Sequence, residues 1–116
     1  MEIIGSKGWK EAEIILPQGT SLPFTVTHKD EDGHVVDHSR STAKMAFVFK
    51  NSTHHLDSCC TCTESGVAVL IPASTSASLP LGKFSWDIMV TTDQGEVIRM
   101  AFGKGVVDDT YAHDEE

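Results

Sequence analysis

Residues 79–109 read LPLGKFSWDIMVTTDQGEVIRMAFGKGVVDD. Phe84, Trp86, Ile88 and Val90 fall on every second position, and Ile98, Met100 and Phe102 resume the same period after TTDQGEV. A period of two places such side chains on one face of an extended chain. The Gly-bearing turn between the two runs makes them a hairpin with one buried face. Gly103 and Gly105 weaken the end of the second strand or mark a bulge. Val106 and Val107 close the pattern.

Working back from this hairpin, the same period recurs. Residues 12–18, AEIILPQ, read as a strand ended by Pro17. Leu22, Phe24 and Val26 share a face of the next strand. Asp32-Gly33 supplies a turn, and Val35 and Val36 restart a short strand. In TAKMAFVFK, Met45, Phe47 and Phe49 alternate with Ala46 and Val48. Val67, Val69 and Ile71 mark another strand. The Ser-rich PASTSASLP segment reads as a connection with one helical turn. About seven short strands with turn signals roughly every ten residues predict an all-β domain, an antiparallel β-sandwich or a small barrel. The expected core is Phe24, Phe47, Phe84, Trp86, Ile88, Ile98, Met100 and Phe102, with Trp86 and Phe47 at its centre because large aromatics dominate core energetics.

At 116 residues the chain is one domain by length. The expected organisation is an N-terminal arm over 1–12, the β domain over 13–108 and an acidic tail over 109–116. No stretch approaches the ~20 apolar residues of a membrane helix. The N-terminus lacks the basic start and apolar run of a signal peptide, so the protein is expected to work where it is made. A net charge of −8 argues against nucleic acid and against an anionic membrane surface as partners.

The residues that carry chemistry suggest no reaction. His54, His55, Cys59, Cys60 and Cys62 are metal-ligand types, but their spacing matches no paired zinc knuckle. The expectation is a polar loop with reduced thiols, no metal and no cofactor. No nucleophile elbow and no phosphate loop is present, so no enzyme is expected. DEDGHVVD, with Asp30, Glu31, Asp32 and Asp37 as an acidic patch, lacks the helices and closing Glu of a calcium loop and reads as a solvated turn. The six histidines read as separate surface side chains. A carbohydrate site needs exposed aromatics. Trp9 and Tyr111, in the two terminal segments, are the candidates for contact with a partner.

Taken in order, LPQGTSLPFTVTHKDEDGHVVDHSRSTAKMAFVFK, then Leu79-Pro80-Leu81-Gly82-Lys83-Phe84-Ser85-Trp86-Asp87-Ile88, then the run from Thr91 to Val107 resemble small β-sandwich proteins of tailed bacteriophages. The likeness is collinear over about residues 14–109. The chain departs from that pattern at VVDHSRSTA, where a Gly-bearing step is missing, and over His54–Thr63, which has no counterpart. The resemblance implies an immunoglobulin-like sandwich and a non-enzymatic virion protein. Its partners would be other virion proteins: tail, fibre, neck or major capsid protein. The first expectation is a tail, baseplate or fibre-attachment role within a symmetric oligomer. The alternative is a capsid cement, or decoration, protein, and the second alternative is a host-surface carbohydrate-binding module.

Overall fold

The computed structural model describes residues 2–6 and 11–109. The chain is all-β, in two sheets that enclose one core. Its strands are β1 (Glu2–Ser6), β2 (Ile14–Pro17), β3 (Leu22–Lys29), β4 (Thr42–Phe49), β5 (Thr53–His55), β6 (Cys60–Cys62), β7 (Gly66–Ile71), β8 (Gly82–Thr91) and β9 (Val97–Asp108). Among the described residues a 3-10 turn spans Asp57–Cys59, and a short helix α1 spans Ala73–Ala77 in the Ser-rich connection, where one helical turn was expected.

The four-stranded sheet has the order β1-β3-β7-β6 and the five-stranded sheet the order β2-β9-β8-β4-β5. This corrects the expectation of about seven strands. Val35 forms only an isolated bridge to Lys29, while the Cys/His segment supplies two short strands and residues 2–6 supply another. It also corrects the expectation of antiparallel pairing throughout. β1 runs parallel to β3, and β2 runs parallel to β9. The segment assigned to an N-terminal arm therefore adds a strand to the sheet.

β8 follows its alternation through the whole strand, burying Phe84, Trp86, Ile88 and Val90. Phe47 of β4 stacks on Phe84 with ring centres 4.2 Å apart. Phe24 of the other sheet meets Trp86 edge-on at 6.2 Å. The second contact joins the two sheets, and such aromatic pairs add roughly 0.5–1.5 kcal/mol each beyond their buried area. Phe24, Phe47, Phe84, Trp86, Ile88 and Met100 are all buried, and Ile98 packs half-buried against the cluster.

Phe102 is a correction. A bulge lets Met100 intrude as an extra residue: Ile88 pairs with Ala101, but Met89 pairs with Arg99. Met100 and Ala101 are therefore buried in succession, and the alternation changes phase beyond them. Phe102 is thrown to the outer face, half-buried beneath Arg99, whose guanidinium carbon sits 3.9 Å from the ring centre.

The two glycines after it do not mark that bulge. A Cβ on Gly103 would run into the carbonyl oxygen of Ala12, and one on Gly105 would meet the Phe84 ring and the carbonyl oxygen of Ile14. They admit the first segment of the chain alongside the last strand. At the far end of β2, the N–H of Gly19 donates to the buried Ser76 Oγ of α1 at 3.0 Å, and Gln18 Nε2 donates to the carbonyl of Leu79 at 2.8 Å.

Candidate functional site

Every second residue of the five-stranded sheet points away from the core, and cations gather on that outer face. Lys44 of β4, Lys83 of β8, and Arg99 and Lys104 of β9 stand there, with Lys50 just past β4. Among the described residues, Lys29 and Arg40 are the Lys and Arg side chains placed elsewhere. In a chain of net charge −8 this is a marked segregation of charge.

Register sets out the face in rows. Ile15 lies beside Val106 and Val106 beside Lys83, while Lys104 lies beside Ser85 and Ser85 beside Val48. Ile15 and Val48 are 57% and 47% exposed, so the rows carry an apolar stripe in contact with water. The small Ser85 leaves a groove of about 730 Å³ between Val48, Lys50, Lys83, Lys104 and Val106, with Glu13 at one wall. A second hollow of about 310 Å³ shares Val48, Ser85 and Lys104 and continues the groove past Asp87, Phe102, Arg99 and Glu11. Lys104 Nζ donates to Ser85 Oγ at 3.1 Å. None of Lys50, Lys83 and Lys104 is ion-paired among the described residues. Such a trough suits an extended polypeptide that brings carboxylates to the lysines and an apolar side chain to the stripe. Lys83 occupies the polar phase of the alternation that fixes the core and was visible in the sequence as an outward position, whereas Lys104 shares the parity of Ile98 and Met100 and is turned outward by the bulge.

At the opposite end of β8 and β9 lies a second feature. His28, at the end of β3, and His38, in the following loop, are both buried. His28 Nδ1 is 2.8 Å from His38 Nε2, and His38 Nδ1 is 3.1 Å from Ser41 Oγ. Backbone bonds hold this arrangement in place. The N–H of Val36 donates to the carbonyl of His28, that of His38 to Thr63, and that of Ser41 to His38, each at 2.9 Å. Burial depresses the pKa of both rings. His28 opposes a charge on His38 as well, while Asp37 and Glu96 act in the other direction on His38, and Glu96 and Asp30 do so on His28. The pair is thus a neutral, hydrogen-bonded couple beside a polar cleft of about 420 Å³, whose walls include Asp37, Arg40, Thr92, Asp93 and Glu96. The reading of six separate surface histidines fails at these two.

The segment His54–Cys62 does not converge. His54 sits on the short edge strand β5, with its ring edge-on to Phe49 and Nε2 3.2 Å from Ser52 Oγ. His55 is exposed. Cys59, Cys60 and Cys62 are free thiols that pack against the core from the 3-10 turn and β6. Burial raises all three, Cys60 to about 12, so these thiols stay protonated and weakly nucleophilic near neutral pH.

Among the described residues, the three groups that bring ligand atoms within 4.8 Å of one another are Asp30, Asp32 and His34, all exposed. Asp30 Oδ1 already accepts the N–H groups of Asp32 and His34 at 2.9 Å each. The carboxylate serves the turn itself. Those N–H donors, that of His34 first, hold its pKa below the ordinary carboxylate value. Trp86 is buried in the core and presents no stacking platform. Trp9 and Tyr111 lie outside the described residues. Among the described residues no helix is long and apolar enough to cross a membrane.

Comparison of the sequence with protein-family models gives no match, and comparison with curated proteins gives none either.

Proposed function

We propose that the chain is a non-enzymatic structural protein of a tailed-bacteriophage particle, built on an immunoglobulin-like sandwich, that joins virion components through protein–protein contacts. The observation that carries this reading is the division of strands between the sheets. β3, β7 and β6 lie together opposite β9, β8, β4 and β5, matching the partition of immunoglobulin-like domains into a B-E-D sheet and a G-F-C-C′ sheet. The collinear likeness of residues 14–109 to phage sandwich proteins supplies the virion context. The outer face of the five-stranded sheet is the contact surface in this reading, because it holds an apolar stripe and lysines without an ion-pair partner among the described residues, on an otherwise acidic protein.

The test is quantitative mass spectrometry of purified particles from the phage or prophage that carries the gene. Tens of copies or fewer per particle support a tail, baseplate or fibre position. Copies matching the major capsid protein would make it a capsid cement protein instead. Absence from the particle would overturn the virion reading. A carbohydrate-binding role has less to stand on, since Trp86 is committed to the core.

A further inference from the structure

We propose that the acidic C-terminal segment of the chain, residues 109–116, folds back onto the outer face of its own five-stranded sheet and occupies the lysine-rimmed groove there. The argument rests on charge, position and reach. The segment reads DTYAHDEE, so beyond Asp109 it brings Asp114, Glu115 and Glu116 together with one aromatic, Tyr111. The groove offers the complement: Lys50, Lys83 and Lys104 around a stripe of exposed Val48 and half-buried Val106, with Glu13 as the one carboxylate in its lining. These lysines have no ion-pair partner among the described residues, whereas the chain as a whole is strongly acidic.

Position favours the same chain over a neighbour. β9 ends at Asp108, which pairs with Pro17 at the rim of the sheet. Val106 and Lys83, which lie side by side, form the first row of the groove inward from that rim. The tail therefore leaves the sheet beside the groove. Seven residues past Asp109 span up to about 23 Å when extended. The groove from the Val106 row back to the Phe102 row covers four residues of β9, about 13 Å. A tether this short keeps the tail at an effective concentration of order millimolar at the groove, so weak charge-assisted contacts suffice to fill it. The tail then acts as an occupant that an acidic partner segment must displace. This inference does not depend on the virion reading, because it concerns the isolated chain.

The test compares amide NMR spectra of the intact chain with those of a full-length variant carrying Tyr111→Ala, Asp114→Asn, Glu115→Gln and Glu116→Gln. Expected are shift changes clustered at Val48, Lys83, Ser85, Lys104 and Val106, independent of protein concentration and reproduced in the parent chain by raising the salt. As a second measurement, a synthetic DTYAHDEE peptide should bind the variant about tenfold more tightly than the intact chain, whose own tail competes. Lys104→Glu, on an exposed position, and separately Lys83→Glu should each abolish that binding. Unchanged shifts on the sheet face, or changes centred elsewhere, would overturn the proposal. Shift differences that vanish on dilution would overturn it in favour of a tail donated by a second copy.

Discussion

The His28–His38 pair and the Cys59–Cys62 run hold side chains of the same reactive types in opposite circumstances. The two histidines are ten positions apart, on a strand end and a loop, yet their ring nitrogens are 2.8 Å apart and shielded from water. The three cysteines are crowded into four positions, yet β6 spends Cys60 and Cys62 as apolar packing against the core. Proximity along the chain produced no site in the second case, and distance along the chain produced a coupled pair in the first. The backbone decides this. β6 turns Cys60 and Cys62 to one face, where the core takes them up, whereas a loop pinned by several backbone bonds delivers one side chain to a fixed point.

The comparison breaks first, if it breaks at all, under His38→Ala. That change leaves His28 without its partner in a buried place and opens a cavity, for an expected loss of about 2–4 kcal/mol in unfolding free energy. Urea titration at pH 7.5 measures it, and a loss under ~1 kcal/mol would mean the pair does not hold the loop. Acid comes next. Both histidines have folded pKa values below the unfolded one, so the unfolded chain binds more protons as pH falls through about 6.5. Stability is full above that pH and declines below it, towards the depressed folded values. The lowered pKa values of Asp30 and Asp37 act only near and below the ordinary carboxylate range, well clear of this window. The urea midpoint should therefore be lower at pH 5.5 than at pH 7.5, and a His28→Gln, His38→Gln variant should show a flatter profile.

The cysteine side of the comparison predicts smaller effects. Cys60→Ala, which trims one small, partly buried side chain, should lower stability by about 1 kcal/mol. Native Cys60 should resist alkylation at pH 7.5 and label quickly once urea unfolds the chain, as followed by intact mass. Rapid labelling of the folded protein at that site would show that its thiol is not suppressed. His55→Ala, on an exposed edge position, should change stability by less than about 0.5 kcal/mol.

How much of this was legible in the sequence depends on how local the cause is. The core of β8 was, because an uninterrupted period of two over Phe84–Val90 has one physical reading. Phe102 was not, since the bulge at Met100 shifts the phase through a pairing mismatch with β8 that β9 alone does not announce. Gly103 and Gly105 drew notice, but their cause lies ninety residues away, in the backbone of Ala12 and Ile14. Lys83 could be placed outward from its alternation, but Lys104 fell on the face expected to be buried until the bulge shifts the phase, and only the register of four strands gathers the groove lysines. For the histidines no local signal existed: His38 reaches His28 because the loop bonds to Thr63 and to β3 itself.

The parallel pairing of β2 with β9 has a consequence for how the molecule is made. Ile14 lies opposite Gly105 and Leu16 opposite Val107, so a segment made about ninety residues before β9 docks against it. Until β9 has emerged, Ile14 and Leu16 lack the strand beside which they are buried, and that edge of the five-stranded sheet stays open. Closure of so long a loop is the kind of non-local contact that slows folding. A chain cut short before β9 would therefore leave an apolar strand unmatched, the sort of surface that chaperones and proteases recognise. The same two glycines that make room for β2 thus tie closure of the five-stranded sheet to the synthesis of β9.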